Sequence, residues 1–77
     1  ILVVEDDAEV RSLVEMTLRE TGFQIVTANC GDEALAQVEN GHPPFDLLLT
    51  DVVMKGINGR ELADRIHRRH PGLPVIY

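Results

Sequence analysis

The sequence predicts an α/β domain built as a doubly wound parallel sheet, and three observations carry that prediction. Its apolar strands, Ile1-Leu2-Val3-Val4 and Leu47-Leu48-Leu49, are unbroken runs, the pattern of parallel strands buried on both faces. These runs alternate with segments of helical period, giving βαβαβαβ, which implies right-handed crossovers between parallel strands. Both runs also end in acid, on Glu5-Asp6-Asp7 and on Thr50-Asp51. In open sheets of this kind, ligand sites lie just beyond the carboxyl ends of the strands.

Each element has its own local reasons. Ile1 to Glu5 reads as a strand, and Asp6 or Asp7 starts a helix. Val10, Leu13, Val14 and Leu18 fall at the spacing of one buried helical face. Thr21-Gly22 closes that helix, glycine being favoured just past a helix end. Gln24 to Ala28 is a shorter strand of mixed polarity, as suits a sheet edge. Asp32 to Glu39 is a second helix with Ala34, Leu35 and Val38 inward, stopped by Asn40-Gly41. His42-Pro43-Pro44 is a stiff connector into the third strand, Asp46 to Asp51. After the loop Val52 to Ile57, Asn58 and Glu61 have capping-box spacing at the start of a third helix. That helix turns Leu62, Ala63 and Ile66 inward, and its cationic last turn, Arg65 to His70, complements the helix dipole. Pro71-Gly72 ends it and Pro74 opens a fourth strand.

Composition removes several classes of function. The 77 residues make one small domain at most, with 13 acidic against 7 basic side chains and a net charge of −6. Backbone binding to nucleic acid rests on Lys/Arg clusters, so no direct nucleic-acid contact is expected of this segment. Phe23, Phe45 and Tyr77 are too few for a base-stacking platform. No apolar run approaches the roughly 20 residues that span a bilayer, so membrane insertion is not expected. Cys30 is the sole cysteine, which excludes an internal disulfide and suits a reducing compartment. No Met precedes Ile1, and Pro74-Val75-Ile76-Tyr77 stops within an apolar run. The expectation is a piece of a longer protein, with a fourth-strand edge at Val75 to Tyr77 open to self-association.

Two neighbouring strands that aim acids at one spot need relief from mutual repulsion. A hard divalent cation such as Mg²⁺ supplies it, taking carboxylates, a carbonyl, waters and a phosphate oxygen. With a phosphate donor in that sphere, a carboxylate at Asp51 could attack phosphorus and become an aspartyl phosphate. Simpler roles stand beside this one. Asp6 or Asp7 could only cap the first helix, and Asp51 could be an ordinary turn residue. Asp7 can also cap while Glu5 and Asp6 face a site.

Val3-Val4-Glu5-Asp6-Asp7, followed by Asp51-Val52-Val53-Met54-Lys55-Gly56-Ile57-Asn58-Gly59, resembles the receiver domain of two-component response regulators. The likeness runs from Ile1 to Tyr77. The run from Leu47 to Met54, with Gly59-Arg60-Glu61-Leu62-Ala63 after it, looks most like receivers attached to hybrid sensor histidine kinases. The resemblance implies a flavodoxin-like fold, a five-stranded parallel sheet of order 2-1-3-4-5 with helices on both faces. Residues 1–77 would then be a partial receiver of order 2-1-3-4, lacking the fourth helix, fifth strand and fifth helix. It further implies a cytoplasmic phosphorelay module, not an enzyme in its own right, although a parent chain could carry a histidine kinase. Asp51 would accept the phosphoryl group from a histidine kinase or histidine phosphotransfer domain. Asp6 and Asp51 would bind Mg²⁺ directly, Glu5 through water, and Val53 through its backbone carbonyl.

Two departures from the family pattern stand out. Lys55 occupies the place of a usual proline, giving up a fixed φ and adding a cation near the site. The switch hydroxyl and the phosphate-binding lysine of the family fall beyond Tyr77. Two other functions remain alternatives: a receiver-like docking domain that is never phosphorylated, and a Mg²⁺-dependent phosphohydrolase with an aspartyl nucleophile. The second usually carries another acid two residues on, where this chain has Val53. His67 and His70 are read as part of the cationic helix end, His42 as part of the connector, Cys30 as a small spacer, and Met16 and Met54 as packing residues.

Overall fold

A computed structural model describes residues 1–40 and 45–77; the connector read at His42-Pro43-Pro44 lies outside the described residues. The order is β1 (Leu2–Val4), α1 (Ala8–Glu20), β2 (Val26–Ala28), α2 (Gly31–Asn40), β3 (Leu48–Thr50), α3 (Gly59–His67) and β4 (Val75–Ile76). All strand pairs are parallel and the sheet order is β2-β1-β3-β4. The parallel arrangement is the one the sequence pattern predicts, and the strand order is the one the family resemblance implies. The strands are shorter than the apolar runs, because pairing stops where the chain turns into its loops.

Register fixes two unlike faces. Leu2 and Val4 pair with Leu48 and Thr50, and Leu48 with Val75, so these side chains share one face. That face holds the core: Leu2, Val4, Ala28 and Leu48 pack with Ala34 and Val38 of α2, Leu62 and Ile66 of α3, and Met54. Val3, Leu49 and Ile76 form the opposite row. Val3 is buried, Leu49 half-buried, and Ile76 is 52% exposed.

The face predicted for the first helix is therefore only half right. Helix α1 contains no buried residue; Val14 and Leu18 are half-buried, whereas Val10 and Leu13 are 44% and 61% exposed. Met16, read as a packing residue, is 55% exposed, while Met54 is in the core as expected. The reason is geometric. Right-handed crossovers place α1 on one side and α2 and α3 together on the other. Strands lie roughly 4.8 Å apart and one helix is about 10 Å wide, so a single helix near β1 leaves the β3–β4 side of its face open.

The caps follow the sequence closely. Asp7 caps α1 through Oδ1, which accepts from the amides of Glu9 at 2.9 Å and Val10 at 3.1 Å. At the far end Gly22 has φ +96°, its amide donates to Arg19 O, and the Phe23 amide donates to Leu18 O. That is a Schellman motif, and it needs the left-handed residue that glycine supplies. Asn58 Oδ1 accepts from the Glu61 amide at 2.9 Å, but the capping box is only half made. The Glu61 carboxylate turns to Arg65 at 3.1 Å instead, a neighbour one helical turn on. Asn58→Ala is expected to cost about 1 kcal/mol in urea denaturation, with Asn58→Asp close to the native value. Equal loss in both variants would show that the cap is not what Asn58 supplies.

Candidate functional site

The sheet register brings the two acidic strand ends together. Val4 and Thr50 are Cα partners, so the next residues, Glu5 and Asp51, leave the sheet side by side. The Asp51 amide donates to Val4 O at 3.3 Å and the Glu5 amide to Ala28 O at 3.1 Å, carrying the ladder one step past the strands. Beneath Asp51, the buried Thr50 hydroxyl donates to the Asp51 carbonyl at 3.0 Å.

Glu5, Asp6 and Asp51 each offer a carboxylate oxygen, and these three atoms lie within 4.8 Å of one another. Glu5 is half-buried; Asp6 and Asp51 are exposed. None of the ion pairs among the described residues includes any of the three. Asp7 is not part of the cluster, since its side chain is committed to the α1 cap. Capping and site are thus divided between adjacent acids, the division that the sequence left as one possibility.

Neighbouring groups hold the cluster in place. The Asp7 amide donates to Glu5 Oε1 at 3.1 Å, and Arg11 Nη1 donates to the Glu5 carbonyl at 2.8 Å. The Lys55 amide donates to Asp6 Oδ2 at 3.4 Å. Gly59, first residue of α3, lies against Asp51: a Cβ there would overlap the Asp51 carbonyl and stand 3.1 Å from Val52 Cα. The family resemblance placed Lys55 and the Asn58-Gly59 turn beside the site, but sequence reasoning singled out none of these contacts. Arg11, Gly59 and the Lys55 amide act through backbone contacts that composition and periodicity do not encode. The Val53 side chain is 80% exposed. His67 is accounted for elsewhere: its ring nitrogen Nε2 donates to the Leu73 carbonyl at 2.8 Å. Cys30 Sγ accepts from the Glu33 amide at 3.5 Å, as a spacer at the start of α2.

Burial raises the Glu5 carboxyl above its ordinary 4.5, and the charges of Asp51 and Asp6 add to the rise against the Asp7 amide. Three crowded carboxylates without an ion-pair partner are the donor set that a hard cation fits, because its charge offsets the repulsion that adds to the rise at Glu5. A pH dependence follows. The folded state holds the Glu5 proton more tightly than the unfolded state, so Glu5 favours folding at low pH. That contribution is lost as pH rises from 4.5 through the raised folded value. The difference in urea midpoint between the native chain and Glu5→Gln should therefore fall with rising pH across that window, without metal. A difference that stays level or grows would contradict it.

Comparisons with known proteins converge on one family. A family model described as "Response regulator receiver domain" matches residues 1–77. The DNA-binding transcriptional regulator NtrC of Salmonella typhimurium is 40% identical over 74 residues, covering 96% of this chain and 15% of that protein. The response regulator protein TrrA from Thermotoga maritima, solved in complex with Mg(2+)-BeF, superposes with TM-score 0.89 at 36% identity, covering 96% of this chain and 63% of that one. The receiver domain from the hybrid histidine kinase CckA gives TM-score 0.81 at 31% identity, covering 97% of this chain and 81% of that one. A transcriptional regulator and a hybrid kinase thus both match, and the comparisons do not single out the hybrid-kinase type.

Proposed function

The chain belongs to the response regulator receiver domain family, and from that membership we propose that it is a phosphoacceptor module in which Asp51 receives a phosphoryl group from a phosphohistidine. The observation that carries this reading is the convergence of Glu5, Asp6 and Asp51 within 4.8 Å at the ends of β1 and β3. TrrA, solved with Mg(2+)-BeF and also in complex with the histidine kinase ThkA, supports a Mg²⁺ site and a kinase partner for this chain.

Each residue has a defined task. Asp51 is exposed at the end of β3, open to approach by a partner's phosphohistidine. One of its carboxylate oxygens attacks phosphorus; the new P–O bond forms as the P–N bond breaks, and the electron pair stays on the imidazole nitrogen. Asp6, Asp51 and the Val53 carbonyl would hold Mg²⁺, with Glu5 acting through water. Bound there, the ion would offset charge on the phosphoryl oxygens. Asp7 and Arg11 keep the Glu5 segment in place, and Gly59 lets α3 begin against the Asp51 backbone. We read residues 1–77 as the first part of a receiver and, from the run around Asp51, the parent as a hybrid sensor kinase, a reading that the CckA match supports.

The test is the intact mass of the purified parent protein after incubation with acetyl phosphate, with and without Mg²⁺. The expected outcome is one added phosphoryl group with Mg²⁺ and none with a chelator. No adduct from acetyl phosphate or from a phosphorylated kinase would sink the reading in favour of a docking domain. Release of phosphate from a phosphomonoester in excess over protein would point to a phosphohydrolase.

A further inference from the structure

The Asp6 carboxylate accepts a hydrogen bond from a residue distant in the sequence. The donor is the backbone N–H of Lys55, 49 residues away in sequence, at 3.4 Å from Asp6 Oδ2. Among the described residues, this hydrogen bond joins the loop 52–57 to the end of β1. Met54, before Lys55, is buried in the core, and Gly56, after it, turns the chain with φ +78°. The Lys55 side chain is exposed. The contact to Asp6 is made by the main chain.

We propose that the Lys55 amide is a positioning group for the cation site. It fixes the rotation of the Asp6 carboxylate and tethers the loop that carries the Val53 carbonyl to the strand end that carries Asp6. A carboxylate has acceptor positions for several partners, so one N–H leaves room for a cation on the same group. Outer hydrogen bonds of this kind orient metal ligands and govern affinity. Proline, which has no N–H, could not make the bond. The inference rests on reading Glu5, Asp6 and Asp51 as a Mg²⁺ site.

Two variants separate amide from ammonium. Lys55→Ala keeps the N–H and sheds the charge; Lys55→Pro removes both. Mg²⁺ affinity of the parent protein would be measured by calorimetric titration, with urea denaturation in the absence of metal as a separate readout of folding. Lys55→Ala is expected to bind as tightly as the native chain or slightly tighter, having lost a cation near the site. Lys55→Pro should bind about tenfold more weakly. If Lys55→Pro does not fold, the Lys55 amide resonance decides: Asp6→Ala should move it upfield, towards the position of an amide without a carboxylate partner. Native-like Mg²⁺ affinity in Lys55→Pro, weakening in Lys55→Ala equal to that in Lys55→Pro, or an unmoved resonance would overturn the inference alone. A native chain that binds no Mg²⁺ would overturn the proposed function and the inference with it.

Discussion

Gly59→Ala is expected to lower stability by about 2–3 kcal/mol and to abolish tight Mg²⁺ binding, although the position opens a helix and alanine is the better helix former. The obstacle is backbone. A Cβ at Gly59 would overlap the Asp51 carbonyl, 3.0 Å from the Asp51 carbonyl carbon and 3.1 Å from Val52 Cα. No rotamer change can clear those atoms, so either α3 or the end of β3 must move. The gain from alanine's helix propensity is at most about 1 kcal/mol, too small to compensate. Movement would also disturb the Asp51 carboxylate and the loop that follows it. Gly31→Ala provides the control. Its Cβ would meet side-chain atoms only, Ile57 Cγ1 at 2.7 Å, Cδ1 at 2.8 Å and Cβ at 3.3 Å, so the Ile57 side chain and its loop must give while the backbone at Asp51 stays in place. Urea denaturation and Mg²⁺ titration of the two variants check the contrast. If Gly59→Ala proved no worse than Gly31→Ala, the close approach of α3 to Asp51 would be wrong.

The contrast marks the boundary of what the sequence makes legible. Element types and the parallel sheet follow from local patterns (unbroken apolar runs, helical spacing, and caps at Asp7, Gly22 and Asn58), whereas the strand order came only with the family resemblance. The clustering of the acids follows too, because Glu5, Asp6 and Asp51 sit at ends of strands that register brings together. Features that depend on contacts distant in sequence do not show. The amide that holds Asp6 lies 49 residues away, and a backbone donor has no residue signature. Arg11 reads as an ordinary helix residue, yet its guanidinium holds the Glu5 carbonyl at 2.8 Å. The exposure of Leu13 and Met16 was hidden for another reason. Periodicity says which side of a helix is apolar, but how much of that side is covered depends on what else packs on the same sheet face. In α2 and α3 the two agree, because each helix has the other beside it.

Asp51→Asn should separate folding from function by moving them in opposite directions. The substitution preserves shape and removes one of three crowded negative charges. Glu5, raised in part by Asp51, then ionises more easily, and the metal-free fold should become more stable near neutral pH. The gain stays below about 1 kcal/mol, because exposed charges are screened by water and salt. Phosphoryl transfer should fall below detection, because the amide oxygen of asparagine is a poor nucleophile and the acyl phosphate needs a carboxylate oxygen. Mg²⁺ affinity should drop as well, since a neutral oxygen replaces an anionic ligand. Intact mass after acetyl phosphate treatment and a parallel urea curve read both quantities on the same protein. A phosphoryl adduct on Asp51→Asn would move the acceptor to another residue. A variant less stable than the native chain without metal would show that Asp51 is held by favourable contacts, and that repulsion does not govern the cluster. The expected gain in the variant would make Asp51 a group kept for function, since a neutral side chain of the same shape would then serve the fold better.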